Sequence, residues 1–167
     1  MMNFEEIAQR VFPFFDSIGI AYRFGPLEKD CFLPGLSIEN GVIIIDRDRI
    51  LYPGDILHEA GHIAVVPAAE RKGLTAASIA SRTDNAAEEM MAIAWSYAAA
   101  VHTGVDTYTV FHEEGYKGGG QSIADSFSNG NYFGVPMLQW TGMCANNEQI
   151  ENLRVNPYPY MLSWLRK

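Results

Sequence analysis

Cysteine is nearly absent from this chain. The 167 residues hold two, Cys31 and Cys144, far apart and without the paired spacing of a thiolate metal site. Neither a disulfide framework nor a zinc ribbon is expected, and both are read as reduced thiols of a cytoplasmic protein. Positive charge is also scarce, with 12 Lys and Arg against 20 Asp and Glu and a net charge of −8. That balance excludes a nucleic-acid footprint and offers no basic stripe to a membrane surface. No apolar run approaches the roughly 18 residues of a membrane span. The first residues, Met1-Met2-Asn3-Phe4-Glu5-Glu6, are acidic and lack the basic-then-apolar pattern of a secretory leader. Nothing repeats internally. What remains is a chain 48% hydrophobic, long enough to bury one core and most simply one domain, residues 1–167.

Histidine is rare too, yet two of the four fall in one pentad, His58-Glu59-Ala60-Gly61-His62. Imidazoles four residues apart on a helix share a face, so both can reach one zinc ion. The Glu between them is suited to accept a proton from water at that metal. The context predicts a helix from Asp55, as N-cap, to about Val66, where Pro67 stops it. Ile56, Ala60, Ile63 and Ala64 give it a buried stripe, with the two histidines along its edge. Gly61 in mid-helix costs about 1 kcal/mol relative to Ala, so a closely packed neighbour is expected there.

A catalytic zinc site needs a third protein ligand. The pattern H-E-x-x-H-x-x-G-x-x-H is excluded, because Val65 and Ala68 stand at its Gly and last His positions. The other solution is a Glu on a later helix. Asp84-Asn85-Ala86-Ala87-Glu88-Glu89 opens such a helix, which runs on to His102 and is apolar nearly all round. Glu88 and Glu89 point about 100° apart, so at most one faces the metal. Glu89 shares its stripe with Ala92, Ile93, Ser96 and Ala100, whose small residues would let the His-bearing helix approach. It is therefore preferred as ligand, with Glu88 as the alternative.

This arrangement resembles the gluzincins, and in particular the compact metallopeptidases of the ImmA/IrrE type. In those enzymes a Glu is followed by an apolar residue four positions on and then Ala, as Glu89, Ile93 and Ala94 are here. The similarity covers roughly residues 42 to 100. Beyond it the chain carries Ser96-Tyr97-Ala98-Ala99-Ala100, where the family has a Leu-Leu-Met-Pro-like continuation. The resemblance implies a zincin-like fold and a zinc-dependent peptidase acting on a peptide or protein.

The remaining pattern predicts an α+β domain in which a small antiparallel sheet lies beside two central, ligand-bearing helices. A helix is expected from Asn3 to about Ser17, kinked near Pro13, and a strand at Tyr22-Arg23-Phe24. A hairpin from Leu36 to Ile45 should turn at Asn40-Gly41, and a final helix is expected near Tyr158 to Leu165. Ala69 to Thr83 is a connection able to fold over a site.

Two further segments bear on function. In Thr109 to Gly120, His112 and Tyr116 are candidates to stabilise an oxyanion, on a loop whose glycines would let it close. The aromatic stretch Phe127 to Trp140 is expected to fill the core rather than line a groove. His102 is expected to serve the dipole at its helix end. The mechanism expected is water activation, with zinc on His58, His62 and Glu89 and with Glu59 as general base and then acid. The alternative is an inactive zincin-like regulatory or interaction module that holds zinc structurally.

Overall fold

A computed structural model describes residues 2–28 and 33–167 of the chain; Met1 and Cys31 lie outside them. The fold is α+β, with eight α-helices and a three-stranded sheet among the described residues. Helix α1 (Phe4–Ile18) starts at a capping box between Asn3 and Glu6, accommodates Pro13, and buries Ile7, Val11, Phe12, Phe14 and Phe15.

Strands β1 (Ala21–Phe24), β2 (Leu36–Glu39) and β3 (Val42–Ile45) form a sheet in the order β1-β3-β2. The β2–β3 hairpin turns where expected, with Asn40 at φ 51° and Gly41 at φ 74°, the left-handed pair a two-residue type I′ turn requires. The sheet is mixed rather than antiparallel, because β1 pairs parallel to β3. Its reason is burial. Ile43, Ile44 and Ile45 are all buried, and a strand covered on both faces belongs in the middle of a sheet, with a neighbour on each side. The hairpin supplies one neighbour and only β1 is left to supply the other.

Helix α2 (Asp55–Val65) carries the pentad. Gly54 takes the cap position and Asp55 is the first helical residue, so its carboxylate is free to pair elsewhere. A short 3₁₀ turn (Arg71–Gly73) and α3 (Ala76–Ser81) lead into α4 (Asn85–Thr103), a long buried helix closed by Gly104. α2 and α4 cross at Gly61. A Cβ there would stand 2.8 Å from the Ala92 carbonyl oxygen and 3.1 Å from Ser96 Oγ, closer than real side chains approach. The glycine lets two backbones meet and brings the first turn of α4 to the histidine face of α2.

Helices α5 (Thr107–Val110), α6 (Gly120–Ser128), α7 (Val135–Trp140) and α8 (Asn147–Leu153) complete the fold. The aromatic stretch fills the core only in part: Phe127 is buried and packs against Tyr97, Tyr132 and Phe133, whereas Trp140 is 83% exposed. His102, in the last turn of α4, packs between Phe14 and Trp164.

No helix forms from Tyr158 to Leu165; α8 is the last. Pro157 and Pro159 lack amide donors, and the amides that follow bond elsewhere: Leu162 and Ser163 to the Met143 carbonyl, Arg166 to that of Ala64. The segment is a strap. With Arg71 and the Arg166 guanidinium, it satisfies the open carbonyls at the end of α2. No helix among the described residues is long and apolar enough to cross a membrane.

Candidate metal centre

Helical spacing sets His58 above His62, with their Nε2 atoms 3.1 Å apart. Because α4 meets α2 at Gly61, Glu89 in its first turns reaches both. Its Oε1 lies 3.5 Å from His58 Nε2 and its Oε2 3.3 Å from His62 Nε2. These three form a group able to hold a metal ion. Zinc–nitrogen bonds of about 2.0–2.1 Å in a tetrahedron put neighbouring ligand atoms about 3.4 Å apart, and the three separations bracket that value.

The protonation states fit as well. Burial holds His62 down to about 4, and burial with the neighbouring His62 holds His58 well below the ordinary imidazole range. Both rings are neutral near pH 7, which is the ligating form. Two neutral rings facing each other at 3.1 Å cannot both carry a proton on Nε2. At least one lone pair therefore points at its neighbours, and a cation among them would be the natural partner. Among the described residues, His58 Nδ1 is buried and has no acceptor.

Glu59 is buried in the same cavity, outside the triad. Burial, reinforced by Asp55 and Glu89, lifts its carboxyl to about 8. Glu88 lies outside the triad, near enough for its charge to act on His62, and is bound by the Arg82 guanidinium, whose Nε and Nη2 donate at 2.5 and 2.8 Å. Arg82 also donates to Glu70 at 2.7 Å. Of the two adjacent acids, Glu89 belongs to the triad and Glu88 to this clamp.

His112 and Tyr116 both line the cavity, in different states. The His112 ring stacks on Tyr52 at 3.9 Å, and its Nε2 bonds Asp55 Oδ1 at 3.0 Å. Its Nδ1 is buried and has no hydrogen-bond partner among the described residues. The Tyr116 ring stands edge-on to His58 with centroids 5.2 Å apart. Its hydroxyl is buried and has no hydrogen-bond partner among the described residues. Burial and the carboxylates of Asp55, Glu89 and Glu59 push its pKa well above 10, so it stays a donor. Tyr116 and Lys117 adopt φ of 56° and 57°, a left-handed backbone costing about 1–2 kcal/mol for each side-chain-bearing residue.

Tyr52 and Asp55 are site residues that the sequence did not disclose. Asp55 is separated from His112 by 57 positions, and Tyr52-Pro53-Gly54-Asp55 read simply as a turn. The cavity around these groups measures about 1140 Å³, ample for a peptide segment. Its rim includes Leu36 and Ser37 of β2, the edge strand of the sheet.

A scan against protein-family models and searches of curated proteins and of solved structures return no match for this chain.

Proposed function

We propose that the protein is a zinc-dependent peptide-bond hydrolase of the gluzincin kind, with His58, His62 and Glu89 as metal ligands and Glu59 as general base. The observation that carries the reading is the convergence of two neutral imidazoles and one carboxylate beside a second, separate acid in an open cavity. Zinc in that triad supplies a Lewis acid that polarises the scissile carbonyl and acidifies water.

The chain's own groups do the rest. Glu59 takes the proton of the attacking water and passes it to the leaving amine. At about 8 the carboxyl of the metal-free chain is mostly protonated near pH 7, and a nearby cation would draw it toward the ionised form that a base needs. Tyr116 donates its O–H to the developing oxyanion. His112 is tied through Nε2 to Asp55 and acts as a positioning residue: it holds the Asp55 charge in place beside Glu59. A peptide is favoured as substrate because the cavity is large enough for a peptide segment and β2, an edge strand of the sheet, borders it.

Elemental analysis tests this reading together with peptide cleavage. We expect about one zinc per chain in wild type and in Glu59→Gln, none in His58→Ala, and cleavage by wild type alone. Equal turnover by Glu59→Gln would remove the general-base role, and a metal-free wild type would remove the enzyme.

A further inference from the structure

Two acids stand side by side at the start of α4, and only Glu89 joins the triad. The other, Glu88, has its side chain 7% exposed. A buried carboxylate needs a cationic partner, and two cations could serve this one. A metal ion on His58 and His62 is the first, since Glu88 is close enough for its charge to act on His62. The Arg82 guanidinium is the second, and it engages both carboxylate oxygens. Nε donates to Oε2 at 2.5 Å and Nη2 to Oε1 at 2.8 Å.

Arg82 is itself held in place. Its Nη2 also donates to Glu70 Oε2 at 2.7 Å, so a second acid anchors the guanidinium. The Arg82 carbonyl accepts from the Asn85 amide, and the Asn85 side chain donates to the Ala80 carbonyl. These bonds tie the end of α3 to the first residue of α4. Asp84, at the cap position of α4, makes no side-chain cap bond, so the first turn relies on the Arg82 contacts rather than on a capping side chain. The planar fork of an arginine matches two carboxylate oxygens at once, which the point charge of a lysine does not.

We propose that Arg82 is a positioning residue of the metal centre: by engaging both oxygens of Glu88 it keeps that carboxylate off the ion, so that Glu89 is the one acidic ligand and a coordination position stays open for water. The inference rests on the hydrolase reading and goes beyond it, to what keeps the site catalytic. A further carboxylate on the ion would turn an open site into a closed, structural one.

The test uses the full chain, with cobalt(II) as metal probe and acetohydroxamate as probe of the open position, both followed by the visible absorption of the cobalt. Wild type and Glu88→Gln should bind cobalt and respond to acetohydroxamate at similar concentrations. In Arg82→Gln, with Glu88 released, cobalt should still bind with an altered spectrum, and acetohydroxamate should bind about tenfold or more weakly. Adding Glu88→Gln to Arg82→Gln removes the released carboxylate and should restore the wild-type spectrum and affinity, a repair that a merely structural arginine would not show. If Arg82→Gln fails to fold by circular dichroism, Arg82→Lys takes its place, with the same weakening and the same repair expected. A wild-type response in the arginine variant, or a loss that Glu88→Gln does not repair, overturns the proposal. If wild type binds no cobalt, the metal centre fails and both readings fall together, an outcome distinct from either of those.

Discussion

Glu59 is the costliest residue of the site in the absence of a cation. Its carboxyl titrates at about 8 in the fold against 4.5 in a model peptide, so the folded chain holds a proton that the unfolded chain has released. Stability from this group is full below about 4.5 and drains away as pH rises through about 8. His62 works in the opposite sense. It is depressed from 6.5 to about 4, and its contribution is present above about 6.5 and lost as pH falls through 4. The two oppose each other in mild acid, and above pH 6.5 Glu59 acts alone. In chelator, wild type should lose about 2 kcal/mol between pH 6.5 and 8, and Glu59→Gln should lose much less. Denaturant unfolding at the two pH values checks this, and parallel losses in both proteins would refute the buried, protonated Glu59. His58, Glu59 and His62 were legible in the sequence because their relation is local, one helical face. The Asp55–His112 pair and its Tyr52 stack were not, since only the folded chain brings together residues 57 apart.

At the scale of elements, the crossing of α2 and α4 determines whether three ligands become one site. Gly61→Ala puts a methyl group 2.8 Å from the Ala92 carbonyl, and neither backbone can yield without moving the helix that carries it. The variant should lose about 1–3 kcal/mol of stability and bind zinc more weakly, because Glu89 retreats from the histidines. A zinc titration monitored by a competing chromophoric chelator checks the second effect; unchanged affinity would show that the site does not depend on this close approach. Here too the sequence was partly legible. A glycine inside a good helix and small residues along the Glu89 stripe both announced the contact, and Asn40-Gly41 announced the hairpin. The parallel partner of β3 was hidden, because nothing local to Tyr22-Arg23-Phe24 fixes its direction. The final segment misled for a definite reason. Tyr158, Met161, Leu162 and Leu165 repeat with helical spacing, but the segment is a strap that buries Tyr158 and Met161, leaves Leu162 exposed, and bonds its amides to Met143 and Ala64.

At the scale of the whole molecule, the core and the candidate site are one structure. Trp95, fully buried on α4, donates to the Trp164 carbonyl. The same strap bonds through Arg166 to the end of α2, so both ligand-bearing helices are tied to one segment. A metal ion on His58, His62 and Glu89 would add a second cross-link between those helices, and its binding energy would become folding energy. With free zinc at about 100 times Kd, the gain is about 2.7 kcal/mol, which for a domain of this size raises Tm by about 5–10 °C. Chelation should therefore lower the Tm of wild type by that amount and leave His58→Ala unmoved. Glu59→Gln should start from a higher metal-free Tm at pH 8, being relieved of the buried charge, and still rise with zinc. That pair of responses separates ligand from base without any substrate. A wild type indifferent to chelator would mean that no cation neutralises the triad, and the hydrolase reading would lose its foundation.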